Sequence, residues 1–179
     1  MSDDLLDKNG VYLFAEDVNA ETCASAMKFI LSKNLMPVNE RPKDIKLIIN
    51  SPGGSVVSCF ALLDIMGGSK IPITTYGLGM IASCGLLLFM GGHKRILSPN
   101  TSVLSHQYAW GSGGKEHELI ADRVEQDNTG DRIREHYKRC TGLSEKVIEK
   151  ELLGPSDVWL TAKQAKKYNL CDQIKDFRL

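Results

Sequence analysis

Ile45-Lys46-Leu47-Ile48-Ile49 runs directly into Asn50-Ser51-Pro52-Gly53-Gly54, and the stretch from Ser55 to Met66 then places Val56, Phe60 and Leu63 at helical spacing. Isoleucines dominate the first segment, so it reads as a strand, and its largely apolar character suits a central one. The Pro-Gly-Gly cluster stops it abruptly. A strand, a glycine turn and a helix in direct succession form the unit from which parallel sheets with helical crossovers are built. The same order returns downstream: Ile71 to Tyr76 reads as a strand, Gly77 to Ser83 as a glycine-rich turn, and Cys84 to Met90 as a compact apolar helix. The two units match in form, but not closely enough in sequence to make a repeat.

Upstream, Val11 to Phe14 is a short apolar strand, and Cys23, Met27, Ile30 and Leu31 mark an amphipathic helix within 20–33. The segment from Leu35 to Lys43, with two prolines, is a loop. Downstream, Arg95 to Leu97 and Ser102 to Ser105 are short strands, and Gly111-Ser-Gly-Gly114 is a flexible break. A long, charged helical stretch occupies 115–140, with few apolar positions (Leu119, Ile120, Val124, Ile133, Tyr137) for its length. A short helix near 144–151 follows, then a strand at Val158 to Leu160. Thr161-Ala-Lys-Gln164 has the form of a capping box opening a last helix, and Ile174 lies in a terminal strand. With no linker and no low-complexity tract, residues 1–179 make one α/β domain.

Composition narrows the function classes. Twenty-two basic residues balance 22 acidic ones, so no net charge draws the chain toward nucleic acid. A hydrophobic content of 42% sets the sequence apart from disordered chains. Met1-Ser-Asp-Asp-Leu-Leu-Asp-Lys8 is acidic and lacks the apolar run of a signal peptide. No segment reaches the roughly 18 apolar residues of a membrane span. Five scattered cysteines (Cys23, Cys59, Cys84, Cys140, Cys171) form no C-x-x-C pair, which argues for reduced thiols in a cytoplasmic compartment and against a zinc site.

Three features carry candidate chemistry. Ser51-Pro-Gly-Gly54 is either a tight turn or a place where bare backbone N–H groups at a helix N-terminus meet a negative group. In Gly79-Met-Ile-Ala-Ser83-Cys-Gly85, a serine among small residues between strand and helix is either a helix cap or a nucleophile lifted clear of the backbone, with the next N–H, that of Cys84, near a developing oxyanion. The segment is not G-x-S-x-G, so that hydrolase fingerprint does not apply. His106 is delivered to a loop by an apolar strand, where a general base is held, whereas His93, His117 and His136 sit in charged or helical contexts that suggest surface positions. Asp157 either orients such a base or simply begins a strand.

The order and spacing of these features resemble the Clp protease proteolytic subunit. Ser-Pro-Gly-Gly, Ser83 placed 29 positions after Gly54, His106-Gln107, and Asp157-Val-Trp-Leu-Thr-Ala-x-Gln-Ala-x-x-Tyr-x-Leu-x-Asp172 all fall in that family's order, from about Leu5 to Asp172. The resemblance implies a crotonase-like α/β fold: a twisted sheet, flanking helices and an extended helical handle at about 107–140. It implies a serine endopeptidase with Ser83 as nucleophile, His106 as general base and Asp157 as orienting carboxylate. Gly54 and Cys84 would supply the oxyanion-hole N–H groups, and Asp172 would be a turn residue. Serine needs an adjacent base at neutral pH, and that base needs a third group to fix its tautomer, so the set is chemically coherent. It further implies unfolded polypeptide substrates, a homo-oligomer of two stacked seven-membered rings, no metal or organic cofactor, no nucleic acid or membrane, and an ATP-dependent unfoldase as partner.

Some positions depart from the family. Tyr108 replaces the usual proline after His-Gln, Trp110 enlarges the groove wall, and Ser156 stands where many members carry arginine. Few residues precede Leu5-Leu6, which suggests a wide axial entrance. Three other readings stand beside the main one: an ATPase-independent processing protease, a non-catalytic structural subunit of a mixed ring, and acyl-CoA chemistry on the same fold. Cys84 is a rival nucleophile, although cysteine in such a place often serves as a small buried hydrophobe.

Overall fold

The structure, a computed structural model, describes residues 2–178. Met1, Leu179 and the side chains of residues 2–4 lie outside the description, and with them most of the acidic stretch behind the wide-entrance expectation.

β1 (Val11–Phe14), β2 (Ile45–Ser51) and β3 (Ile73–Ala82) pair in parallel, with β2 in the middle. Helices make the crossovers, α2 (Ala20–Leu35) between β1 and β2 and α3 (Val56–Gly67) between β2 and β3. Each starts at a side-chain cap: Asn19 and Thr22 form a capping box for α2, and Ser55 accepts the Ser58 N–H for α3. α1 (Ser2–Lys8) is tied to α2 by the ion pair of Asp7 with Lys33 at 2.6 Å. α4 (Cys84–Met90) follows β3, and all seven of its residues are buried, which explains its uninterrupted apolar sequence. Phe14, Ile30, Leu62, Met66 and Phe89 belong to the main core on this side of the sheet. The opposite face carries a smaller cluster of Val11, Ile48, Tyr76 and Ile96, with Phe177 edge-on to Tyr76. A parallel sheet needs cover on both faces, and these two clusters supply it.

The glycine-rich turn expected at Gly77 to Ser83 is not a turn: β3 continues through it to Ala82. The glycines bend the strand so that it changes partner. Up to Gly77 it pairs with β4 (Lys94–Leu97), and from Met80 it pairs with β5 (Ser102–Ser105), both parallel. Gly79 adopts φ +60, and the Asn50 Oδ1 accepts the Met80 N–H at the bend. β6 (Val158–Thr161) pairs antiparallel with β5, and β7 (Gln173–Ile174) closes on β4.

α5 (Glu116–Thr141) is the long charged helix, ended by Gly142 at φ +71. Its buried residues begin only at Thr129; Leu119, Ile120 and Val124 on its first half stand exposed. α6 (Glu145–Val147) leads through a wide helical turn at 148–152 toward β6. α7 (Ala162–Lys167) opens on the capping box of Thr161 and Gln164 foreseen in the sequence.

The packing of α5 and of the C-terminal segment overturns two further expectations. His136 is not at the surface: it is 2% exposed, because α5 lays that face onto α4. Asp172 is more than a turn residue. Its carboxylate receives Nε and Nη2 of Arg95, whose Nη1 donates to the Cys140 and Asn169 carbonyls, so one guanidinium ties β4 to α5 and to the C-terminal segment. Among the described residues, no helix is long and apolar enough to cross a membrane.

Candidate active site

β3 ends at Ala82 and α4 begins at Cys84, so Ser83 alone makes the turn between them. It does so at φ +54 and ψ −123. A side chain rarely adopts such a backbone conformation, and holding it costs of order 1–3 kcal/mol. The surroundings over-determine it. The Ser83 N–H donates to the Leu104 carbonyl on β5 at 3.0 Å, and its own carbonyl accepts from Leu86 and Leu87. The loop after β2 presses against the elbow: a Cβ on Gly53 would stand 2.7 Å from both the Ala82 oxygen and the Ser83 Cβ. On the other side, a Cβ on Gly85 would stand 2.8 Å from the Ser51 oxygen. Glycine at both positions is therefore a packing requirement.

Gly54 forms a parallel bridge with Val18. Val18 N–H donates to the Gly53 carbonyl at 2.8 Å, and Ser55 N–H donates to the Val18 carbonyl at 2.6 Å. This pattern uses the flanking groups and turns Gly54's own N–H and C=O to the other side. There the Gly54 carbonyl receives the Cys84 Sγ–H at 3.1 Å. The Gly54 N–H takes no partner among the described residues. The Cys84 N–H is likewise open, being one of the donors every helix leaves unsatisfied at its start. Two free N–H groups thus accompany the Ser83 elbow.

Sheet register brings the other two candidates to the same place. Ala82 is in register with Leu104 across β3 and β5, and Ser105 with Val158 across β5 and β6. Each of the three strands then hands over its next residue at the same edge: Ser83, His106 and Asp157. Neighbouring strands lie about 4.8 Å apart, so the three backbones are adjacent in that order. Ser83 and His106 line one small recess with Val56, Leu87, Tyr108 and Ile133. Among the described residues, no hydrogen bond joins the side chains of Ser83, His106 and Asp157. The register sets them side by side without linking them, a looseness that is common before substrate binds.

Several residues support the site through contacts that the sequence did not show. Ser105 Oγ donates to the Leu152 carbonyl and meets the Tyr137 hydroxyl, each at 2.7 Å, which anchors the backbone immediately before His106. Burial pushes the Tyr137 phenol far above its usual range, so it stays protonated. Tyr108 donates its hydroxyl to the Gln126 carbonyl at 2.7 Å and packs edge-on to Trp110, fixing the loop after His106 to α5. His136 Nε2 lies 2.9 Å from the Leu87 carbonyl of α4, and its Nδ1 lies 3.0 Å from Arg139 Nη2. Since arginine can only donate, Nδ1 accepts and Nε2 carries the proton. The one signal that could have found Tyr137 and His136 is their place beside Ile133 on the apolar stripe of α5.

Cys84 is 2% exposed and its thiol is turned to a carbonyl, a poor arrangement for a nucleophile. Its neighbour Cys59 donates Sγ–H to the Cys84 carbonyl at 3.5 Å. Within this buried pair, the side-chain contact with Cys84 and then burial hold the Cys59 thiol well above its ordinary value.

Comparison with known proteins gives a consistent picture. Residues 2–178 match the family described as Clp protease. The chain is 36% identical over 142 residues to an ATP-dependent Clp protease proteolytic subunit 2 of Corynebacterium diphtheriae, covering 78% of this chain and 70% of that one. It is 32% identical over 173 residues to a proteolytic subunit 1 of Rhodopirellula baltica, covering 96% and 74%. Among solved structures, a point mutant of ClpP1 from Listeria monocytogenes superposes with a TM-score of 0.85 at 25% identity, over 99% of this chain and 98% of that one.

Proposed function

The chain belongs to the Clp protease family, and from that premise we propose that it is a serine endopeptidase acting on unfolded polypeptide with Ser83, His106 and Asp157. The observation that carries this reading is the register of β3, β5 and β6, which brings those three residues to the same end of adjacent strands beside two N–H groups without partners among the described residues.

The chemistry follows from the arrangement. Ser83 Oγ attacks the scissile carbonyl carbon while His106 takes its proton. Asp157 fixes the imidazole tautomer and stabilises the imidazolium. The carbonyl oxygen, now negative, is met by the N–H groups of Gly54 and Cys84. His106 then returns the proton to the leaving amine, and water repeats the sequence on the acyl-enzyme. Each group needed is present in this chain, and none of the steps calls for a cofactor.

Assembly is part of the proposal. Leu119, Ile120 and Val124 stand exposed on the half of α5 that carries no buried residue, a face that a second subunit would cover. Stacked rings enclosing the active sites, fed by an ATP-dependent unfoldase, fit the family and this surface. Five unpaired thiols support a reducing, cytoplasmic setting.

The test is labelling with a serine-directed peptidyl phosphonate and mapping the modified residue, beside a Ser83→Ala variant. The expected result is a single adduct on Ser83, with peptide hydrolysis reduced by several orders of magnitude in the variant and assembly unchanged. An adduct elsewhere, or near-normal turnover by Ser83→Ala, overturns the reading.

A further inference from the structure

The two N–H groups assigned to the oxyanion come from segments distant in the chain. One is in the loop after β2, and the other is at the start of α4. For them to act together, their separation has to be held closely, since a misplacement of about 1 Å can cost on the order of 100-fold in rate. Among the described residues, no backbone hydrogen bond joins 52–55 to 83–85. The polar links between the two neighbourhoods come from thiols. Cys84 Sγ–H donates to the Gly54 carbonyl at 3.1 Å, and Cys59 Sγ–H, from the first turns of α3, donates to the Cys84 carbonyl at 3.5 Å. The two bonds run in opposite directions between the Gly54–α3 segment and the first residue of α4.

We infer that Cys84 is a positioning residue for the oxyanion site, its thiol clamping the Gly54 carbonyl so that the Gly54 and Cys84 N–H groups face one point. The inference rests on the serine-peptidase reading above. Gly54 sits at φ +145 with no side chain to steer it, so its orientation is set by what its neighbours hold. Val18 holds the Gly53 carbonyl and the Ser55 N–H on one side. The Cys84 thiol holds the Gly54 carbonyl on the other. Removing it frees the 54–55 peptide to rock about its bond to Val18, and the motion reaches the Gly54 N–H, in the adjoining 53–54 peptide, through the Gly54 Cα that the two share. Cys84 thereby serves twice, through its backbone N–H and through its side chain, and the second role asks for a small donor at the position after the nucleophile. Cys59 braces the same turn from α3 but touches neither N–H donor.

The role is distinct from that of a nucleophile and from that of simple packing. A positioning thiol affects the transition state, in which the oxyanion exists, and leaves ground-state binding alone. The experiment compares Cys84→Ala, Cys84→Ser and Ser83→Ala in the assembled protein, with a fluorogenic peptide as substrate and a peptide aldehyde as an inhibitor that forms a tetrahedral oxyanion. Expected are a fall in kcat of about 10- to 100-fold for Cys84→Ala with KM within twofold, and a matching loss of aldehyde affinity. Cys84→Ser, whose hydroxyl can still donate to the Gly54 carbonyl, recovers most of both. Wild-type kcat in Cys84→Ala beside an inactive Ser83→Ala overturns the inference and leaves the serine reading intact. Equal loss in the Ala and Ser variants, with KM rising and the assembly falling apart, assigns the thiol to packing and also overturns it. Retained turnover in Ser83→Ala removes the serine reading itself.

Discussion

Acid should loosen this protein through His136. The imidazole lies between α5 and α4, donating to the Leu87 carbonyl and accepting from Arg139, with Phe60 edge-on at 6.3 Å and the Cys140 thiol alongside. Its pKa is pushed down to about 4, first by burial and then by the positive charges of Arg139 and Arg95, while the bond to Leu87 works the other way. In the unfolded chain an ordinary histidine titrates near 6.5. Between these values the unfolded state binds more protons than the native one, so stability rises with pH through the window. The contribution is fully present above about pH 6.5 and is lost as pH falls toward 4. The whole span corresponds to about 3 kcal/mol, of which about 2 kcal/mol disappears between pH 7 and pH 5. Urea unfolding at fixed protein concentration, followed at pH 7, 6 and 5, measures it. His136→Gln supplies the control, because its amide can donate to Leu87 and accept from Arg139 without titrating. The wild-type protein should lose about 2 kcal/mol more than the variant between pH 7 and 5. If both lose the same amount, burial of His136 is not what makes the fold acid-sensitive, and the reasoning fails.

Gly54→Ala would set a Cβ 2.3 Å from the Val18 oxygen at φ +145, so kcat should fall by about 100-fold or more, with a stability loss of about 1–3 kcal/mol in thermal or urea unfolding. Ser105→Ala leaves the Tyr137 hydroxyl and the Leu152 carbonyl without their shared partner, which should cost about 1–3 kcal/mol by urea unfolding and slow turnover by loosening His106. Asp172→Asn removes the charge facing Arg95, whose side chain is only 12% exposed. Because the aspartate is half open to water, the expected loss is about 1–3 kcal/mol, vanishing as acid protonates Asp172 in the wild type. Replacing Leu119, Ile120 and Val124 together by serine should shift the sedimentation coefficient to a smaller species, and an unchanged coefficient would remove this face from the assembly.

Much of the candidate site's local geometry was legible because sharp turns and bare backbone are written in local signals, while the roles of its residues came from the family resemblance. Small residues around Ser83 announced a sharp turn, and Gly53 and Gly54 announced a backbone without side chains; the structure uses both for those reasons. Misjudgements came where a local signal has two physical outcomes. Gly77 and Gly79 read as the end of a strand, yet a glycine also lets a strand bend and change partners, and the pairing of β3 with β4 and then with β5 selected that outcome. His136 sits among Arg134, Glu135, Lys138 and Arg139, so its neighbours in sequence look wet, while its neighbours in space are Leu87 and Phe60.

What the sequence determined by itself is the set of parts. Apolar period, capping residues and breaker clusters specify strands, helices and turns over a few residues, and they did so for β2, α3, α4, α5 and the Thr161 cap of α7. It also singled out Ser83, His106 and Asp157 as candidates, through an order and spacing that resemble the Clp protease family. Tertiary structure decided how those parts meet. Nothing near Asp157 in the chain indicates that β6 runs antiparallel to β5, yet that pairing, with Ser105 opposite Val158, is what carries Asp157 to His106. Likewise, nothing near Cys84 shows that its thiol will reach the carbonyl of Gly54, 30 residues earlier. Hydrogen-bond registers and side-chain contacts between distant segments depend on the packing of the whole core, where each choice is settled jointly with the others. A local pattern cannot encode that joint solution, and the proposed active site is built from it.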